Sequence, residues 1–543
     1  MGLIRHAKVS PPARSANARL RPARATRGGN ITLAFAVVVG FIPFLHLRAT
    51  GKRDRSSKPQ QHRANHRRSR KATPKRIATE RRVTSSELAD LRGKTVRGTF
   101  FESPSPTVVT CLKDALITVD DAGTITAVIA AEAPAYEQTR RAAERAGTLV
   151  SLPGVVLPGF VDTHIHAPQY PQVGKALDVP LEVWLQRYTF ALEARYHDLD
   201  FAQRSYSALV SDLLASGTTT ALYFGTIHVG ANKRLADICF AQRQRAFIGK
   251  VAMDDADACP AFYRDSCAAA AIDETRELIA YISGLDATGE IIAPVITPRF
   301  TPACTRALLA GLGELAHHTG CRVQTHCSES DWQHGHAQAR FGMSDLAALD
   351  SFALIGRRSV LAHGNFLSDD DMSQIALRGA SVAHCPYSNF YFANAVFPLR
   401  VALAKGLRVG LGTDVSGGPS ASMFESIRMA LVAARVLEAG VDPARAADQR
   451  GRPHSRIETG TAFYLATAGG GDALDLRVGR FAPGYFFDAM LIDANAAGGT
   501  IRLWDEADDD LILQTILLTA SRPNVAAVWT GGVRAGSPSA VDR

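Results

Sequence analysis

Two histidines spaced by two residues close the run Gly159-Phe160-Val161-Asp162-Thr163-His164-Ile165-His166. The run is apolar enough to read as a β-strand, and on a strand residues i and i+2 point to the same side. Both imidazoles then face one place, and neutral imidazoles suit zinc or iron. Such a pair alone is a weak signal, because most are solvated. His334-Gly335-His336 has the same spacing, but in a polar, helical stretch where i and i+2 share no face. It reads as surface.

The first pair gains weight from polar residues that close later apolar runs. Arg299, followed by Phe300, closes 291–298; His326 and Glu329 close 322–328; His363 closes 359–362; Asp414 closes 408–413. Hydrolytic zinc needs about three or four protein ligands and an open position for water. His164, His166, His326 and Asp414 offer three imidazoles and a carboxylate, a set that suits iron as well. A second carboxylate should then move protons, and Glu329 lies three residues beyond His326. Taken singly, Glu329 reads as a loop acid, His363 as a core histidine, and Asp414 as a turn residue before Gly417-Gly418. Taken together, His363 is a candidate to orient the water or to ligate.

The elements that must position these residues follow a regular alternation. Candidate strands fall near 158–164, 218–224, 246–252, 291–297, 322–326, 358–362, 381–385 and 408–413. Between them, Tyr206, Leu209, Val210, Leu213 and Leu214 recur at helical steps before Gly217, as do Leu308, Leu309, Leu312, Leu315 and Ala316 before Gly320. Strands alternating with helices argue for parallel pairing. Eight such units in about 260 residues predict a (β/α)8 TIM-like barrel, whose chemistry sits where strands end.

The chain resembles the guanine deaminases of the amidohydrolase superfamily over roughly residues 95 to 535. The resemblance is carried by Pro158-Gly-Phe-Val-Asp-Thr-His-Ile-His-Ala-Pro-Gln-Tyr170, Gly217-Thr-Thr-Thr-Ala-Leu-Tyr-Phe-Gly-Thr-Ile-His228, Gln244-Arg-Ala-Phe-Ile-Gly-Lys-Val-Ala-Met-Asp254, Thr297-Pro-Arg-Phe300, His326-Cys-Ser-Glu329, Ala383-His-Cys-Pro-Tyr-Ser-Asn389 and Gly412-Thr-Asp-Val-Ser-Gly-Gly418. The ligand motifs mark the superfamily. His-Ala-Pro-Gln-Tyr, Thr-Pro-Arg-Phe and Tyr-Phe-Gly-Thr-Ile-His point to guanine deaminase in particular. The resemblance implies one zinc per subunit on His164, His166, His326 and Asp414. It implies that Asp414 takes a proton from water and that Glu329 protonates the purine. Gln169 and Arg299 would read the polar edge of guanine, and Phe300 would pack on its ring. The implied reaction is guanine and water giving xanthine and ammonia, in a homodimer. Tyr387 stands where relatives often carry Asn.

Residues 95–157 and 476–536 contain alternating apolar segments, among them 115–119, 124–129, 487–492 and 525–530. The first two are separated by an Asp121-Ala122-Gly123 turn. They predict a small composite β-sandwich around a barrel domain at 158–475. The formal charge of +9 is unevenly placed. Residues 1–82 hold 21 Lys and Arg against Asp54 and Glu80, so this stretch carries +19 and the remainder −10. A basic balance favours nucleic acid or anionic surfaces, and here only the extension, residues 1–94, has it. No nucleic acid is expected on the enzyme body. Residues 31–47 form an apolar segment at the short limit for a membrane span, broken by Gly40, Pro43 and His46. The extension reads as a signal anchor, a targeting segment, a disordered basic arm or an upstream addition. Eight cysteines without a Cys-X-X-Cys predict free thiols, a reducing compartment and a cytoplasmic location. Two rival functions remain open: hydrolysis of another ring, such as a pterin, cytosine or triazine, and a non-catalytic membrane-tethered scaffold.

Overall fold

A computed structural model describes residues 90–504 and 508–536. The apolar segment 31–47 and the basic stretch around it lie outside the described residues. Among the described residues no helix is long and apolar enough to cross a membrane.

The described chain opens with β1 (Thr95–Ser105), β2 (Val108–Val119), β3 (Ile125–Ile129) and β4 (Leu149–Pro158). The barrel strands follow: β5 (Phe160–His166), β6 (Thr218–Phe224), β7 (Arg245–Gly249), β8 (Val251–Ala252), β9 (Ile292–Pro298), β10 (Arg322–Cys327), β11 (Ser359–His363), β12 (Ser381–His384) and β13 (Arg408–Leu411). The chain returns through β14 (Ala489–Ile492), β15 (Val525–Thr530) and β16 (Val533–Arg534). All eight expected barrel strands are present, the third split at Lys250 into β7 and β8. Lys250 is buried there, its Nζ 2.6 Å from Asp265.

The barrel sheet runs β13-β12-β11-β10-β9-β7-β6-β5, with β8 beside β9, and every pairing is parallel. Every residue of β5, β6, β7, β11 and β12 is buried. That is the pattern of parallel strands covered on both faces. The intervening helices carry legible ends. Asp198 caps Leu199–Ala215 by accepting from the amides of Asp200 and Phe201. Thr305 caps Arg306–Thr319, which stops at Gly320 in the left-handed region, φ 65°. Ser368 and Asp371 form a capping box on Asp369–Arg378.

The barrel closes between β5 and the end of β13 through individual bonds. Asp414 N donates to His164 O (3.0 Å) and His166 N to Val415 O (3.0 Å). The buried Asp162 carboxylate accepts from Thr413 N (3.0 Å), Thr413 Oγ1 (2.5 Å) and His164 N (3.2 Å). Burial pushes the Asp162 carboxyl up to about 7, against the pull of these bonds. Thr413→Val keeps the side-chain shape and removes one donor to a buried carboxylate. It is expected to cost about 1–3 kcal/mol, read as a lowered midpoint in denaturant unfolding; an unchanged midpoint contradicts this role.

The segments before and after the barrel meet, so the expected sandwich takes the form of one seven-stranded mixed sheet, β16-β15-β14-β4-β1-β2-β3. The Asp121-Ala122-Gly123 turn joins β2 to β3, with Gly123 at φ 84°. Side chains alternate between two cores, as the strand period requires. Ala489, Leu491, Ala527 and Trp529 face the sheet's own core with Phe100 and Ile117. Met490, Ile492 and Val528 face the core shared with the barrel helices.

His334 and His336 lie on the helix Asp331–Phe341, as expected, but both are half-buried instead of on the open surface. The His334 ring packs 5.8 Å from Phe366. All eight cysteines are free, five of them buried.

Candidate metal-dependent active site

The His164/His166 pair ends β5, where the register against β6 slips between Asp162 and Ile165. Such irregularities re-aim side chains beside functional sites. Asp414 follows β13 and His326 ends β10, which brings four ligand atoms together. His166 Nε2 and His326 Nε2 lie 3.0 Å apart. Asp414 Oδ1 stands 3.2 Å from His164 Nε2 and 3.6 Å from His166 Nε2. The ligand atoms of His164, His166 and His326 all lie within 4.8 Å of one another, as do those of His164, His363 and Asp414.

The chemistry of this donor set fits a cation. Burial, then neighbouring cationic or imidazole groups, holds His164, His166 and His326 well below the usual imidazole range, so all three are neutral. His164 Nε2 is buried with no hydrogen-bond partner. His326 Nδ1 donates to the carbonyl of Arg299 (2.6 Å), which leaves its Nε2 lone pair facing the cluster. Two imidazole nitrogens as close as His166 Nε2 and His326 Nε2 must share a proton or a cation between them.

Three non-glycine residues here adopt positive φ: Ser328 (50°), His363 (74°) and Asp414 (48°). Their backbones lie in a region that costs free energy and clusters at functional sites. The loop carrying Glu329 is held by Asp345, which accepts from Ser328 N (2.8 Å), Gln333 Nε2 (2.6 Å) and Thr301 Oγ1 (2.6 Å). Burial, then the nearby Asp414, raises the Glu329 carboxyl well above the usual range. Burial raises Asp414 too, opposed chiefly by His363. His363 Nδ1 donates to Asn389 Oδ1 (3.0 Å), so its Nε2 is the free nitrogen, 3.6 Å from Glu329 and 3.9 Å from Asp414.

One cavity, with about 380 Å³ of atom-free space that runs out into open solvent, opens on this cluster. Seven of the sequence-predicted residues line it: His166, Gln169, Arg299, Phe300, His326, Glu329 and Asp414. His164 and His363 stand behind them against Asp414. Phe300 is held edge-on by Trp332, centroids 5.5 Å apart. Tyr387 does not line the cavity; its hydroxyl donates to Glu425 (3.3 Å).

Sequence reasoning missed the apolar walls, Leu181, Trp184, Leu185 and Phe392. It also missed Glu193, which is fully buried. Arg299 donates to Glu193 through Nη1 (2.6 Å) and Nη2 (3.1 Å), and Gln169 Nε2 donates to it at 2.8 Å. A signal for Glu193 was present: Leu185, Thr189 and Glu193 recur every four residues on a buried stripe. A lone carboxylate on such a stripe must have a partner.

Residues 155–535 match the amidohydrolase family. The chain is 34% identical to mouse guanine deaminase over 451 residues, 80% of this chain and 95% of the relative. It is 37% identical to a probable guanine deaminase of Schizosaccharomyces pombe over 382 residues, 69% and 70% of the two chains. Among solved structures, guanine deaminase from C. acetobutylicum with guanine in its active site superposes with a TM-score of 0.72 at 28% identity, covering 81% of this chain and 99% of that one. The E. coli enzyme superposes with a TM-score of 0.71 at 26% identity, with the same coverage. The chain belongs to the amidohydrolase family, a metal-dependent family, and within it to the guanine deaminases.

Proposed function

We propose that this protein deaminates guanine hydrolytically, giving xanthine and ammonia, with zinc held by His164, His166, His326 and Asp414. The observation that carries this reading is the joining of a neutral-imidazole cluster to an Arg299–Gln169 wall across one cavity. Bound zinc supplies Lewis acidity, which makes water nucleophilic near neutral pH. The protein's own groups do the rest. Asp414 accepts the proton that water loses. Glu329, its carboxyl raised above the usual range by burial and by Asp414, donates to the ring nitrogen beside the amino-bearing carbon and then assists departure of ammonia. His363, its tautomer set by Asn389, holds the attacking water in line. Arg299 and Gln169 bind the carbonyl edge, and Phe300 packs on the ring. A site built on such hydrogen bonds rejects bases that leave them unpaired.

We further read residues 95–157 and 476–536 as one composite domain around the barrel domain 158–475, and the assembly as a cytoplasmic homodimer. The functional reading is tested by incubating zinc-loaded protein with guanine, a pterin, cytosine and a triazine, following ammonia and the ring product. Guanine turned over at least about 100-fold better than the others supports it, a margin well inside the roughly 10,000-fold that a site built on substrate hydrogen bonds achieves. Preference for another ring overturns it.

A further inference from the structure

Glu193 sits between the two residues that face the substrate's polar edge, and none of its surface reaches solvent. Its two oxygens take both terminal nitrogens of Arg299 and the amide nitrogen of Gln169. Gln169 is pinned at its other end too, because its Oε1 accepts from Ser416 N (3.1 Å). Phe190, one helical turn before Glu193, lies under the Arg299 guanidinium at 5.0 Å. The Tyr263 hydroxyl borders Glu193 as well.

This arrangement has two consequences. The first concerns geometry. A primary amide free to turn presents either its oxygen or its nitrogen. Here Glu193 and Ser416, whose N and Oγ both donate to Gln169 Oε1, allow one orientation, leaving one N–H of Gln169 for a ligand. The guanidinium gives two of its five N–H groups to Glu193, and Nη1 also meets the Met253 sulfur at 3.8 Å, which leaves Nε and the second N–H of Nη2 for a ligand. The second concerns charge. A buried arginine alone would draw anions strongly, because attraction is poorly screened away from water. Paired with Glu193, the polar end of the cavity is neutral in sum while its donors remain directed.

We propose that Glu193 is a positioning residue that determines specificity: by fixing Gln169 and cancelling the charge of Arg299, it makes this cavity select neutral oxopurines over anionic ones. The inference rests on the guanine reading above and deepens it. It also assists turnover, because a dioxopurine product ionises more readily than guanine, its second carbonyl stabilising the anion, and a neutral cavity does not retain that anion.

The test uses full-length, zinc-loaded protein at one fixed neutral pH, so that no protein group changes state between measurements. Calorimetric titration with hypoxanthine, a neutral oxopurine, and urate, an anionic one, gives a ratio of dissociation constants for the wild type, Glu193→Gln and Glu193→Asp. The two ligands differ in shape, but that bias cancels when ratios are compared between variants. Glu193→Gln is expected to move the ratio toward urate by at least about tenfold, the effect of about 1.4 kcal/mol. Glu193→Asp keeps the charge and is expected to keep the ratio, with both affinities reduced. Guanine kcat/KM in Glu193→Gln should fall about 100-fold, the scale of a misplaced substrate, with bound zinc unchanged. If Glu193→Gln weakens both ligands equally, the residue is a structural prop and the proposal is overturned. Wild-type affinities in that variant overturn it as well. Should Glu193→Gln fail to fold, a ratio shifted toward urate in Glu193→Asp overturns it and a preserved ratio supports it. Wild-type protein inert toward guanine sinks the functional reading alone, since the shift in ratio is measured without turnover.

Discussion

Glu329→Gln lowers guanine turnover by about 1,000-fold while zinc stays bound at one per chain. Proton transfer by a positioned side chain is worth about 100- to 10,000-fold, and Glu329 is placed for it. The carboxyl is buried and raised well above the usual carboxylate range, with Asp414 nearby and His363 Nε2 at 3.6 Å. Its backbone is fixed independently of its side chain, through Glu329 N to Gln333 Oε1 (3.3 Å) and Asn365 Nδ2 to Glu329 O (2.9 Å). The amide of Gln has the same shape and still hydrogen-bonds, so KM should change by no more than a few-fold. What it cannot do is give up a proton to the ring. Steady-state kinetics with metal analysis on the same preparation reads both quantities. A loss below tenfold would exclude Glu329 as the proton donor, and loss of zinc would make it a ligand.

Removing the metal abolishes turnover and lowers stability together. A strong chelator leaves three neutral imidazoles and Asp414 buried in one cluster, with the Nε2 atoms of His166 and His326 3.0 Å apart. An ion that binds the folded chain and not the unfolded one stabilises by the free energy of that binding, about 4 kcal/mol at a thousandfold excess over Kd. For a chain of this size that corresponds to a shift in melting temperature of several degrees. Thermal unfolding with and without chelator measures the shift. Restoration of turnover by zinc then separates metal loss from irreversible damage. Turnover that survives complete chelation would falsify the assignment of these four residues.

Much of the barrel was legible because its signals are local. The period-two spacing of His164 and His166, the helical steps from Tyr206 to Leu214 and the stop at Gly320 each depend on a few neighbouring residues. Parallel strands buried on both faces wrote themselves as short apolar runs. Polar residues at the ends of those runs stood out because burial there is costly without a partner. The half-burial of His334 was not legible, since its ring packs on Phe366, some thirty residues away along the chain.

Sequence alone determined the barrel, the strand-end placement of its polar residues, and the imidazole and carboxylate types that suit a metal, since backbone periodicity and side-chain chemistry act over short spans. Tertiary structure decided what those residues do to one another. Glu193 finds Gln169 at 24 residues and Arg299 at 106 residues along the chain, and Asp162 finds Thr413 at 251. No local pattern encodes such pairs, because each exists only once folding has excluded water and brought distant partners together. The positive φ of His363 and Asp414 belongs to the same class: surrounding packing holds a backbone that neither residue would choose alone.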